Sequence, residues 1–215
     1  MEERNITVTL EKAKEWYNSG DATLKEIALQ AFNEKELIFN FKDITTFKDA
    51  CNVLSIDRKA ANYLIRCMGE ISKASVAMFK LNIIRKALNL GQDLHLTKDP
   101  EDSHIYYPYN PFVTKSSTYY KSEINSGKME VIGRIKSEGE EYDVLGGSAN
   151  TDASAGLGCF YPNYGIGYAA ANFGFIGCAN EEIAKHLGKY FGILITEAKY
   201  GDMVDFEIIK EKYNV

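Results

Sequence analysis

The 215-residue chain has few of the residues that usually announce a chemistry. Its three histidines (His95, His104 and His186) are scattered, and no HExxH or similar pair occurs. Its four cysteines (Cys51, Cys67, Cys159 and Cys178) form no CxxC pair and have no histidine at zinc-ligand spacing. A metal or disulfide framework needs such clusters, so the cysteines read as buried free thiols and no metal or cofactor is expected. There is no GxSxG elbow, so the hydrolase reading that motif carries has no support. No apolar run reaches 18 residues, and no membrane span is expected. The opening MEERNITVTLEKAKEW is charged and lacks the apolar stretch of a signal peptide, so a cytoplasmic protein is expected.

What remains is an ordinary folded composition, 45% hydrophobic and 26% charged, long enough for one large domain or two small ones. Residues 1–92 carry 14 Lys and Arg against 12 Asp and Glu; residues 93–215 carry 11 against 18. The change of sign allows different partners for the two halves.

The first 92 residues read as helical. Thr9 is placed to cap a helix through Trp16 and Tyr17 that ends at Gly20. Thr23 with Glu26 predicts a second helix reaching Phe32, and Thr46 with Asp49 a third over 47–54. Asp57 opens a long helical stretch to Leu90, with Ala61, Leu64, Ile65, Met68, Ile71, Phe79, Ile83 and Ala87 as its apolar stripe. Gly69 is the place where that stretch would split. Pro100, Pro108 and Pro111 then mark residues 93–112 as an aromatic and proline-rich connector of ordered coil.

From 113 onward the period changes to that of strands. Met129–Lys136 and Tyr142–Leu145 predict a hairpin around Ser137-Glu-Gly-Glu, and Ala155–Tyr161 and Ile166–Cys178 read as glycine-rich strands. Asn180 caps a helix over 180–199 whose buried face is Ile183, Leu187, Phe191, Leu194 and Ile195. Phe206, Ile208 and Ile209 suggest an edge strand. The expected fold is α+β: a helical N-terminal unit followed by an antiparallel β-rich unit backed by a C-terminal helix.

Several features invite a chemical reading beside a plain one. Gly165-x-Gly167-x-x-Ala170 superficially matches a dinucleotide fingerprint, but a Pro-Asn turn precedes it where a buried strand is required. Asp99, Glu101 and Asp102, and Glu138, Glu140 and Glu141, fall in expected turns and read as solvated loop charges. Lys59, Arg66, Lys73 and Lys80 recur every seven residues along the long helical stretch. They make either a ridge for nucleic-acid phosphates or the wet face of an amphipathic helix.

The most unusual segment is Tyr142–Asn180. Its 39 residues contain no Lys, Arg, Glu, Gln, His, Met or Trp, and hold eight of the 17 glycines. Small residues with Tyr, Asn, Ser and Asp are the composition of adaptable binding surfaces; a packed Gly/Ala sheet is the alternative. The ligand-facing candidates are Asn150, Thr151, Asp152, Ser154 and Tyr161, with Asn163, Tyr164, Tyr168 and Asn172.

Leu145-Gly-Gly-Ser148 followed by Asn172-Phe-Gly-Phe-Ile-Gly-Cys-Ala179 resembles the GGS…GFRCA framework of C-type-lectin-like domains, of the formylglycine-generating-enzyme type. That type is found in the variable proteins of diversity-generating retroelements. The likeness implies a ligand-facing surface between the two anchors. It departs in lacking Trp after GGS and in having Ile176 where Arg is expected. Over ITVTLEKAKEWYNSG, TFKDACNVLSI and EIAKHLGKYF the chain is also similar to phage and prophage proteins of gut Bacteroidales, which implies a phage setting. The reading is then a non-enzymatic, phage-encoded binding protein, in the bacterial host cytoplasm or carried in the virion. Its partner would be a protein or glycan, with other virion proteins as further candidates. The alternative is an intracellular nucleic-acid- or nucleotide-binding accessory protein using the basic helix.

Overall fold

The structure, a computed structural model, describes residues 8–90, 105–114, 116–152 and 176–213. It is an α+β protein whose packing groups residues into two compact units, Met1–Phe41 and Lys42–Val215. The boundaries suggested by the sequence, at 92 and 112, follow a change of period. Packing instead puts the helices after Lys42 in one unit with the C-terminal helix.

In the first unit, α1 (Leu10–Asn18) begins where Thr9 accepts a hydrogen bond from the Lys12 amide. The chain turns at Gly20, whose φ of +81° lies in the left-handed region. Helix α2 (Ala22–Ala31) is capped by Asp21, which accepts from the Thr23 and Leu24 amides, so the expected Thr23 cap is displaced by two residues. A carboxylate at the N-cap meets the free amides directly. Asn33 and Glu36 form a capping box that starts α3 (Glu34–Ile38), an element the sequence reading lacked. Ala13, Ala28 and Leu37 are the buried core of this unit, under Trp16, Tyr17 and Phe32.

The second unit opens with α4 (Phe47–Val53), held by the Thr46/Asp49 capping box. The long helical stretch is two helices: α5 (Arg58–Gly69), capped by Asp57, and α6 (Lys73–Leu88), capped by Ser72. The break changes the phase, so the expected stripe is not one face. Ile71 is 87% exposed and Leu64 47%. Ala61 and Ala87 of that stripe are buried, and α6 also buries Ala77, Leu81, Ile84 and Leu88, an i, i+4, i+7, i+11 row.

Strands follow: β1 (Ile105–Tyr109), β2 (Phe112–Thr114), β3 (Glu130–Ser137), β4 (Glu140–Gly146) and β5 (Ser148–Asp152), with the short α7 (Lys121–Asn125) between β2 and β3. Helix α8 (Glu181–Tyr200), capped by Asn180, leads to β6 (Glu207–Glu211). The larger sheet runs β2-β4-β3-β6, all antiparallel, with β6 at an edge. Glu138 and Gly139, both at positive φ, close the β3–β4 hairpin as a two-residue turn requires. Helix α8 packs against α6, β1, β3, β4, β5 and β6. All five residues expected on its inner face, Ile183, Leu187, Phe191, Leu194 and Ile195, are buried.

The span read as coil between 93 and 112 contains β1 and begins β2. Pro108 sits inside β1 because Tyr106, two residues earlier, sends its amide toward Cys178 and away from β5. A strand alternates its donors, so the donor that Pro108 lacks belongs to the Cys178 side and leaves the β5 ladder intact. Cys51 and Cys178 are buried as expected, whereas Cys67 is exposed because it lies on the outer face of α5; Cys159 lies outside the described residues.

Candidate functional site

Two nearly continuous strand pairs meet at a corner. β1 pairs with β5 and β2 pairs with β4; Asn110 and Pro111 face Leu145, Gly146 and Gly147 across the bend. The extra residue on one side is a bulge, which turns the ribbon. Gly147 carries the bend at φ +105°, where an added Cβ would lie 2.8 Å from the Lys128 carbonyl oxygen. The inside of the corner rests on α8 in a notch made by Gly188 and Gly192. There the Asn110 amide donates to the Leu145 and Gly188 carbonyls, both at 2.8 Å.

The corner also frames the segment singled out from composition. β5 lies along one edge of β1. On the other edge Tyr106 and Cys178 exchange two backbone hydrogen bonds of 3.1 and 2.8 Å, again antiparallel. Asn89, at the end of α6, accepts from the Ala179 amide at 2.7 Å and donates to the Gly177 carbonyl. Ile176, Cys178 and Ala179 are buried. Residues 152 and 176 are thus held on opposite edges of one strand. Of the candidate residues, Asn150, Thr151 and Asp152 lie in β5, opposite Tyr107, Tyr106 and Ile105. Ser154, Tyr161, Asn163, Tyr164, Tyr168 and Asn172 lie outside the described residues, as do the Gly165–Ala170 pattern, His95, His104 and the 99–102 acids.

Beside the corner is a cleft of about 480 Å³, lined by Tyr109, Pro111, Phe112, Val113, Thr114, Ser117, Tyr119, Tyr120 and Tyr142. None of these lining residues bears a charge at neutral pH. Tyr120 is held in the left-handed region at φ +59°, a placement that costs a residue with a bulky side chain on the order of 1 kcal/mol or more. Its hydroxyl lies 2.9 Å from that of Tyr109, and its ring meets Tyr119 edge-on at 4.8 Å. The hydrogen bond with Tyr109, aided by burial, pushes the Tyr120 phenol up to about 12, so it stays protonated. Phe112 is backed edge-on by Tyr200 of α8 at 5.8 Å, and Tyr142 packs on the sheet core. The candidate residues taken from sequence omit this cleft. Its signal was the density of tyrosine: five of 14 fall between 106 and 120.

The basic residues are shared between two helices, Lys59 and Arg66 on α5, Lys73 and Lys80 on α6. Lys80 lies over the Phe47 ring at 5.9 Å, and both Lys73 and Lys80 act on the half-buried Glu197. Lys73 also acts on Asp202. These carboxylates interrupt the positive ridge on α6. His186 is buried, its Nε2 donating to the Ile44 carbonyl at 2.7 Å. Glu138 and Glu140 are exposed at the hairpin turn. Among the described residues no group of three His, Cys, Asp or Glu side chains is placed to hold a metal ion, and no helix is long and apolar enough to cross a membrane.

Compared with known proteins, the chain has no match: no family model fits it, and no curated protein or solved structure is similar to it.

Proposed function

We propose that this is a non-enzymatic binding protein whose ligand-facing surface lies at the β corner. The observation that carries the reading is the cleft, where four tyrosines and a phenylalanine stand around an open space with no charged side chain among the described lining residues. Aromatic rings with hydroxyl handles give a large contact area at little entropy cost. Tyr119 is 72% exposed, a ring left in water that a ligand would cover.

The frame around 153–175 supports the same reading. A surface rich in Tyr, Asn, Ser and Gly needs its ends fixed if its side chains are to vary without loss of the fold. Here β5 and the 176–179 segment flank β1, and buried side chains and the Asn89 amide hold the latter. On the phage resemblance, the ligand would belong to a virion or a host surface.

The test is capture on glycan and peptide arrays, followed by titration of the hits. Y119A should weaken any hit about tenfold, while K59A on α5 should leave it unchanged. Empty arrays, or hits indifferent to Y119A, would overturn the reading.

A further inference from the structure

We infer that the cleft takes a proline-rich segment of a partner protein, bound in the polyproline II conformation. This rests on the binding reading above and narrows it to one ligand class.

The first ground is shape. Tyr109 and Phe112 are each 37% exposed and Tyr119 is 72% exposed, standing along one open cleft with Pro111. Such rings form ledges between which pyrrolidine rings seat, and a polyproline II helix presents them at a repeat of three residues per turn. The ledges are fixed in advance by the left-handed Tyr120 backbone, the Tyr109–Tyr120 hydroxyl pair and the Tyr200 ring behind Phe112. A rigid ligand on a rigid cleft loses little freedom on binding.

The second ground is hydrogen-bond type. The side-chain polar groups of the described lining residues are all hydroxyls, from Tyr109, Tyr119, Tyr120, Tyr142, Thr114 and Ser117. A proline-rich segment carries carbonyls with no internal partner and few N–H groups, so it needs donors and offers almost none. The Tyr109–Tyr120 pair shares one phenolic hydrogen between its oxygens. That leaves the other to be given outward.

The third ground is the side chains that do not line the cleft. Among the described residues no carboxylate or side-chain amide lines it to meet the paired hydroxyls of a sugar, which act as donors and acceptors at once. Among the described residues no cation lines it for a phosphate. Neutral rings and hydroxyl donors match the proline-rich segment better than either.

The test is fluorescence anisotropy on the full chain with three labelled probes: a proline decamer, an Ala/Ser decamer and maltohexaose. The proline decamer should give a saturable rise and the other two none. Y119A, altering an exposed ring, should weaken the rise about tenfold. Y109F combined with Y120F, which removes both hydroxyls and keeps the rings, should weaken it severalfold. Equal binding of the Ala/Ser decamer, or proline binding indifferent to Y119A, overturns the inference. Maltohexaose binding that Y119A abolishes, without proline binding, overturns the ligand class and leaves the binding reading standing. Silence from all three probes overturns the inference; the binding reading falls with it only if the arrays are empty as well.

Discussion

Glu130 on β3 stands among Lys189 of α8, Lys212 and Tyr213, all within hydrogen-bonding reach, and so ties the C-terminal tail and the helix to the sheet. Burial pushes its carboxyl up, but the hydrogen bonds from Lys212, Lys189 and Tyr213 outweigh that and hold it at about 2. A carboxyl depressed in the fold adds stability above its ordinary value of 4.5 and loses that stability as pH falls toward 2. The lysines are 40% and 47% exposed, so screening trims the contribution to roughly 1–2 kcal/mol. Urea midpoints should therefore drop between pH 5 and 3, and E130Q should lie lower at pH 7 with a flatter acid slope. His186 gives a separate window. Burial pushes its imidazole down, with Lys189 and Lys42 adding to the effect against the Ile44 hydrogen bond. Its neutral form is the folded one, so its contribution is present above the ordinary 6.5 and declines as pH falls below it. H186Q should flatten the slope between pH 7 and 5 and leave the Glu130 window in place. Neither partnership was legible in the sequence, because Glu130 meets Lys212 and His186 meets Ile44 across 82 and 142 residues.

At the scale of elements, the legible parts are those whose cause is local. Thr9, Thr46 with Asp49, Asp57 and Asn180 cap their helices as read, since a cap is a bond between near neighbours. The β3–β4 hairpin is local too. The illegible parts depend on partners far along the chain: β1 becomes a strand because β5 and Cys178 lie on its two edges. The cleft stayed hidden for the same reason, since Tyr142 joins Tyr109 and Tyr119 only through the β2–β4 pairing. The seat of the corner on α8 turns on two glycines, and that is testable. A Cβ at Gly192 would lie 2.3 Å from Ile132 Cδ1 and 2.6 Å from Asn110 Nδ2; at Gly188 it would lie 2.7 Å from Pro108 Cβ. Gly69, also helical, would meet only Val76 Cγ2, at 3.8 Å. Helix propensity alone favours alanine at all three sites by up to about 1 kcal/mol. Overpacking reverses the sign where there is no room, by about 1–3 kcal/mol. G192A and G188A should lower the urea midpoint while G69A leaves it level or raises it. A stabilised G192A would show that the corner does not rest on that notch.

The whole molecule is two compact units of unequal means. Among the described residues the first buries only Ala13, Ala28 and Leu37 fully, with Val8, Leu10, Trp16, Tyr17 and Phe32 partly buried against them, a modest apolar surface to set against the entropy of ordering three helices. The second is built around α8, where 12 of 20 residues are buried and Phe191, Leu187 and Ile183 are among the largest fully buried side chains. Stability is then expected to be uneven along the chain, with separate cooperative openings. Native-state hydrogen exchange should find the slowest amides in α8, β3 and β4, at protection near the global unfolding free energy, and faster exchange through a smaller opening in α1 to α3. L187A, which truncates a fully buried side chain, should cost about 2–5 kcal/mol. That loss should appear in full in the α8 and sheet amides, because they exchange only when the second unit opens. The α1 to α3 amides should keep their wild-type rates as long as their own opening remains the cheaper route. If L187A lowered protection in α1 to α3 by as much as in α8, the two units would be opening as one, and the division at Phe41 would have no energetic meaning.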